Sequence, residues 1–269
     1  MDIINDINKI ITINYNNSSS VVDINDVYVE KDDDMKNYII PNYLLQKIQN
    51  KAITDKDLEN LKGIQSLDIS GNSRITDKGL ENLKDIHTLD IFGCENITDK
   101  GLENLKGIHT LNIFGCENIT NKGLEHLKGI HTLYIISRIK FTDKGMVSLT
   151  STHKLNTILR INLNRNITDE GLEYLKGIHT LHFRGNNITD KGLEHLKGIH
   201  TLDIYGNYNI TDKGLEHLKG IHTLNISQVI KITDKGLENL KGIHTLDIYG
   251  NDNITDKGLE ILKDAKIYL

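Results

Sequence analysis

The chain has no tryptophan, one proline, two cysteines and four phenylalanines among its 269 residues. Two cysteines cannot form a disulfide framework for a chain of this length. No run approaches the eighteen or more apolar residues of a membrane span. The opening Met1-Asp2-Ile3-Ile4-Asn5-Asp6 lacks the basic and apolar regions of a secretory signal, so a reducing, cytoplasmic setting is expected. The formal net charge is −5, and no basic stripe offers itself to phosphates, which argues against a nucleic-acid partner. The short signatures of catalysis are also missing: no H-E-x-x-H, no glycine-rich phosphate loop and no G-x-S-x-G. The expectation is therefore a non-enzymatic protein without cofactor or metal.

What the chain does have is a repeat. The triplet Ile-Thr-Asp recurs, with threonines at 54, 76, 98, 120, 142, 168, 189, 211, 233 and 255. Ile97 to Asn118 reads I-T-D-K-G-L-E-N-L-K-G-I-H-T-L-N-I-F-G-C-E-N. Ile108–Ile113 predicts a short strand, with Leu111 and Ile113 on its apolar face. Thr98–Lys106 predicts a short helix, with Thr98 as N-cap, Asp99 at the positive end of the dipole and Leu102 and Leu105 on one face. Gly107 supplies the left-handed residue that ends it.

One such coil cannot bury its own apolar edge; about ten in a row over 53–269 can bury Leu and Ile against one another. The period and the L-x-x-L-x-L spacing resemble leucine-rich repeats. The resemblance implies an α/β solenoid, curved, with parallel strands on the concave face and short helices on the convex one. I-T-D-K-G-L-E-x-L followed by L-x-I-x-x-C is similar to the cysteine-containing repeats of F-box/LRR proteins, with Cys94 and Cys116 at the cysteine position. In that family the repeats recognise a substrate and an upstream module docks onto a ubiquitin ligase. Ile40–Ile48 is faintly similar to the start of an F-box, so a ligase adaptor is the partner this resemblance implies.

Upstream of the array the composition changes. Residues 1–38 are a low-complexity segment rich in Asn, Asp, Ile and Ser, part disordered, with short β pieces conceivable at Lys9–Tyr15 and Val21–Glu30. Residues 39–52 predict a capping helix, with Pro41 at the first helical position and an apolar stripe of Leu44, Leu45 and Ile48. Four residues inserted within Thr150–Lys154 break the array, next to an atypical coil at Tyr134–Phe141.

Positions that repeat identically report scaffold; those that vary carry specificity. The varying outward row of the strands holds Asp68, Asp90, Asn112, Tyr134, Arg160, His182, Asp203, Asn225 and Asp247. Two residues further on stand Phe92, Phe114, Arg184, Tyr205 and Tyr249. This mixture of aspartates and aromatics is the expected partner-binding surface, suited to a protein that offers basic and apolar groups. Seven histidines share one register: 87, 109, 131, 179, 200, 222 and 244. They lack the carboxylate or cysteine of a closed metal set, so the reading is rings packed on rings, roughly 5 Å apart. The recurrent Asn-Ile-Thr triplets belong to the repeat, their asparagines bonding loop backbone, and the two cysteines are expected as buried free thiols. Glu125-His126, Glu194-His195 and Glu216-His217 read as solvated pairs on the helical side.

Overall fold

A computed structural model describes residues 26–28, 39–135, 141–149, 158–162, 166–184 and 187–269. Most of the low-complexity segment, the Lys9–Tyr15 expectation, the Thr150–Lys154 insertion and the Ser137–Lys140 stretch lie outside the described residues. The chain divides into two compact units, Met1–Asn118 and Ile119–Leu269.

In the first unit β1 (Asp26–Tyr28) pairs antiparallel with β2 (Ile39–Pro41), which leads into helix α1 (Asn42–Gln49). Pro41 is the N-cap residue and not the first helical one, with φ −55° and ψ 138°. Leu44, Leu45 and Ile48 are buried. Three strands follow, β3 (Ser66–Asp68), β4 (Thr88–Asp90) and β5 (Thr110–Asn112), paired in parallel so that Leu67, Leu89 and Leu111 align. The second unit continues the pattern with seven strands: β6 (Thr132–Ile135), β7 (Ile158–Asn162), β8 (Thr180–Arg184), β9 (Thr201–Asp203), β10 (Thr223–Asn225), β11 (Thr245–Asp247) and β12 (Lys266–Tyr268). Each is parallel to its neighbour in chain order.

The coil is tighter than the sequence suggests. The helix expected over Thr98–Lys106 is one α-turn, Asp99–Leu102, followed by a 3-10 turn, Glu103–Leu105. The strand expected over Ile108–Ile113 is Thr110–Asn112. A three-residue leucine spacing fits the 3-10 period, which brings residues three apart into line. Gly107 has φ +85° and closes the turn as anticipated. Ile97, Leu102, Leu105, Ile108, Leu111 and Ile113 of this coil are all buried, 3% exposed or less.

Within each unit a hydrogen-bonded clamp joins coil to coil. The carboxylate of Asp77 accepts from the Thr98 N–H at 2.8 Å and from the Thr98 hydroxyl at 2.7 Å. Thr98 Oγ1 in turn accepts the Lys100 N–H, at 3.3 Å, as the N-cap of its own helix. The same pairing recurs from Asp55 to Thr76, Asp143 to Thr168, Asp190 to Thr211, Asp212 to Thr233 and Asp234 to Thr255. Asn121 makes a variant: its amide oxygen accepts the Thr142 N–H and its amide nitrogen donates to the Thr142 hydroxyl.

The clamp accounts for the glycine of D-K-G-L. A Cβ at Gly79, Gly101, Gly171, Gly192, Gly214, Gly236 or Gly258 would run into the aspartate oxygen of the preceding coil. The first coil reads D-K-D-L, with Asp57 at the glycine position. There Lys47 of α1 meets the Asp57 carboxylate at 2.6 Å, and Asp57 also accepts from the N–H and hydroxyl of Thr54. Burial raises the Asp57 pKa, but these bonds and the Lys47 charge outweigh it and hold the carboxyl below its usual value.

A second left-handed position follows β3, β4, β5, β9, β10 and β11. Gly71, Gly93, Gly115, Gly206 and Gly250 have φ between 67° and 73°, but the equivalent residue of one coil is Gln228, at φ 59°. A side chain in that region costs on the order of 1 kcal/mol. Gln228→Gly is expected to raise stability by about 1 kcal/mol, read as a higher urea midpoint at unchanged slope.

Candidate functional site

The outward strand residues form one row in each unit. In the first, Asp68, Asp90 and Asn112 lie side by side across β3–β5. In the second, Tyr134, Arg160, His182, Asp203, Asn225 and Asp247 succeed one another across β6–β11. Phe92, Phe114, Tyr205 and Tyr249 stand just past their strands, and Arg184 ends β8.

The acidic row is less free than its sequence suggests. Asp68, Asp90, Asn112, Asp203, Asn225 and Asp247 each accept the N–H two residues on, at 2.8–3.1 Å. Each side chain therefore closes its own strand end in an Asx turn, which leaves the aspartates a second oxygen and the asparagines an amide NH2 for other work. Asp90 gives that oxygen to the Asn112 amide at 2.9 Å. Asp247 accepts from Ser227 Oγ at 2.6 Å. Ser227 and Asn225, which stand in the same outward rows, thereby belong to the same network. The Asp90 carboxyl is pushed up, chiefly by burial; bonds from the Phe92 N–H and Asn112 oppose this, while Asp68 adds to it.

The first unit presents an aromatic pair beside this row. Phe92 and Phe114 stand with ring centroids 4.7 Å apart, and Phe92 is 43% exposed. Such pairs contribute about 1 kcal/mol beyond their buried area.

In the second unit the aromatics carry cations. The Arg160 guanidinium lies over the Tyr134 ring at 5.5 Å, and that of Arg184 over the Tyr205 ring at 4.7 Å. His182 reaches Asp203 at 3.5 Å. Burial raises the Asp203 pKa, but bonds from His182 and the Tyr205 N–H, with the His182 and Arg184 charges, hold it below the usual carboxylate range. Tyr249 is 61% exposed. Tyr208 and Ile230, in the loops after β9 and β10, are also exposed apolar residues and were not among the expected site residues. Their signal was in the sequence: Glu95, Glu117 and Asp252 occupy the corresponding position in other coils.

The histidines stack as expected. His87 and His109 lie 4.3 Å apart, and His179, His200, His222 and His244 form a continuous stack at 4.5 Å. Each Nδ1 shares a hydrogen bond with the following threonine hydroxyl, as at His222 and Thr223. Among the described residues no group of three or more His, Cys, Asp or Glu could hold a metal.

Desolvation, then the charge of neighbouring rings, lowers the pKa of His200 and His222. The unfolded chain thus binds protons at a higher pH than the stack does. The stack's contribution is intact above pH ~6.5 and is lost as pH falls below that value toward the folded pKa values. The depressed Asp57, Asp203 and Asp234 act in a lower window, losing their contribution as pH falls below ~4. A lower Tm is expected at pH 5.5 than at 7.5, and the gap should narrow in a His200→Gln/His222→Gln variant. Coincident melts would refute the stack's role.

Cys94 and Cys116 are buried free thiols. Their Sγ atoms donate to the carbonyls of Ile69 and Ile91, as Asn251 Nδ2 does to Ile226. Burial pushes their pKa values up to about 11 and about 12. The asparagines of Asn-Ile-Thr bond loop backbone: Asn96 to Ser73, Asn118 to Glu95 and Asn253 to Ile230. No helix among the described residues is long and apolar enough to cross a membrane.

Comparison with known proteins agrees with this geometry. A family model described as leucine-rich repeat matches residues 64–84, 82–106, 157–176, 178–197 and 243–262. No curated protein matches the chain by sequence. Among solved structures, an internalin C2 from Listeria monocytogenes is similar at 22% identity and a TM-score of 0.51, covering 76% of this chain and 84% of that one. The TLR13–ssRNA13 complex is similar at 17% identity and TM-score 0.53, over 78% of this chain. The Toll–Spätzle complex of Drosophila is similar at 12% and 0.54, over 81%. This chain spans 37% of the matched chain in each of the last two. The chain carries leucine-rich repeats and has their α/β fold of parallel strands and short helices.

Proposed function

We propose that this chain is a non-enzymatic scaffold that docks a protein partner on its strand face. The supporting observation is the strand row itself. Its varying side chains sit on a backbone fixed by the Asp–Thr clamps and the Asx turns, so aromatic anchors such as Phe92 and Tyr249 are presented at little entropic cost. Partner-binding roles go to Asp68, Asp90, Phe92, Asn112, Phe114, Tyr134, Arg160, His182, Arg184, Asp203, Tyr205, Asp247 and Tyr249. Proteins of similar fold occur in complexes, Toll with Spätzle and TLR13 with ssRNA13. The net charge of −5 favours a protein over a nucleic acid here.

Affinity capture with the wild type beside a Phe92→Ala/Phe114→Ala/Tyr205→Ala/Tyr249→Ala variant tests the reading. Partners retained by the wild type and lost by the variant support it; an unchanged set removes it. The finer reading, a substrate-recognition subunit of an F-box type ubiquitin ligase, rests on the repeat wording and on Ile40–Ile48. Co-precipitation of a ligase adaptor subunit with the full chain is its test.

A further inference from the structure

The strand face of the second unit holds two arginines side by side, with the charge of Asp203 shared between them. Arg160 on β7 and Arg184 on β8 stand on adjacent strands, Arg160 opposite His182 and Arg184 opposite Asn162. Each guanidinium lies over a tyrosine ring from a flanking coil, Tyr134 or Tyr205. Among the described residues neither arginine has a carboxylate within ion-pair distance, since Asp203 is engaged by His182 and by the Tyr205 N–H. The buried Nε of Arg160 has no hydrogen-bond partner. The terminal nitrogens of a guanidinium match a carboxylate with two parallel bonds. Burial lowers the Arg160 pKa, and the charges of Tyr134 and Asp203 oppose it.

We propose that Arg160 and Arg184, braced on Tyr134 and Tyr205, form a subsite for the aspartate or glutamate side chains of an acidic segment in a partner protein. The inference rests on the docking role of the strand face and names the chemistry of that partner. A continuous polyanion fits less well. Its next phosphates along the row would meet Asp203 and Asp247, on β9 and β11. A short acidic segment ends where those aspartates begin. The exposed Tyr249 beyond them suits an apolar continuation of the same segment.

The test is selection of a phage-displayed random dodecapeptide library on the full-length chain, with a single-stranded RNA oligonucleotide as a second arm. Peptides enriched in Asp and Glu are expected. Each should bind Arg160→Gln and Arg184→Gln at least tenfold more weakly than wild type, an effect of the size of a lost charged hydrogen bond. Arg184→Lys should also weaken binding, because a lysine keeps the charge and loses the fork. Arg184 is exposed, so its variants should fold even where Arg160→Gln does not. Peptides that lose binding to Tyr249→Ala but not to the arginine variants would overturn the acidic subsite and leave the docking face standing. Peptides indifferent to all these variants, or none selected, would overturn both. RNA binding that depends on Arg160 and Arg184 would overturn the choice of partner.

Discussion

Asp190→Ala is expected to lower stability by about 2 kcal/mol, although Asp190 is not a core residue. Its carboxylate accepts the N–H and the hydroxyl of Thr211, both at 2.7 Å. Removing it leaves two donors of the next coil without their partner, and bonds to a charged acceptor contribute about 1.5–3 kcal/mol. The asparagine at 121 predicts the milder outcome. Its amide makes both bonds to Thr142, at 3.1 and 2.9 Å, so Asp190→Asn should lose less than about 1 kcal/mol. Urea unfolding of the three proteins measures the series, and equal losses for Ala and Asn would contradict the clamp.

Gly214→Ala is expected to destabilise by about 2 kcal/mol, opposite in sign to what helix propensity gives. In an ordinary helix the change gains up to about 1 kcal/mol. Here the new methyl would meet Asp190 Oδ1, with Leu193 Cδ1 at 3.0 Å and Ile210 Cγ2 at 3.1 Å behind it. The carboxylate must move, and the clamp to Thr211 moves with it. A Tm above that of the wild type would show that the close approach is tolerated.

The repeat made the fold legible because each coil restates the same physics. Strand, short helix, left-handed glycine and buried leucines all follow from the wording of a single unit. Thr98–Lys106 has helical composition throughout, which does not show where the α-turn ends; a spacing of three between Leu102 and Leu105 suits a 3-10 turn as well as an α one. The inter-coil clamp was not legible from one unit. Asp99 satisfies a helix N-terminus by itself, and only stacking shows that such an aspartate serves the next coil's threonine. The trace was nonetheless present, in the glycine two residues after each Asp and in Asp57, which replaces it where Lys47 lies opposite.

The candidate site was legible by position and less so by chemistry. Strand alternation placed Asp68, Asp90, Asn112 and their successors outward, and aromatics beside them. That the acids of this row close Asx turns depends on backbone direction at the strand ends, which alternation does not specify. That Arg160 and Arg184 lie on tyrosines of the adjacent coils depends on register between strands. Tyr208 and Ile230 lie in loops, which strand alternation does not describe, although apolar residues at a position held by Glu95, Glu117 and Asp252 in other coils set them apart.

Coils locked by an aspartate that passes from each one to the next are what hold the strand row rigid, and a double-mutant cycle of Asp190→Ala and Gly214→Ala measures that lock. If the carboxylate is what the alanine methyl strikes, the second substitution costs little once the first is made. The coupling energy should then be about 1.5 kcal/mol or more. Losses that add to within about 0.5 kcal/mol would contradict it.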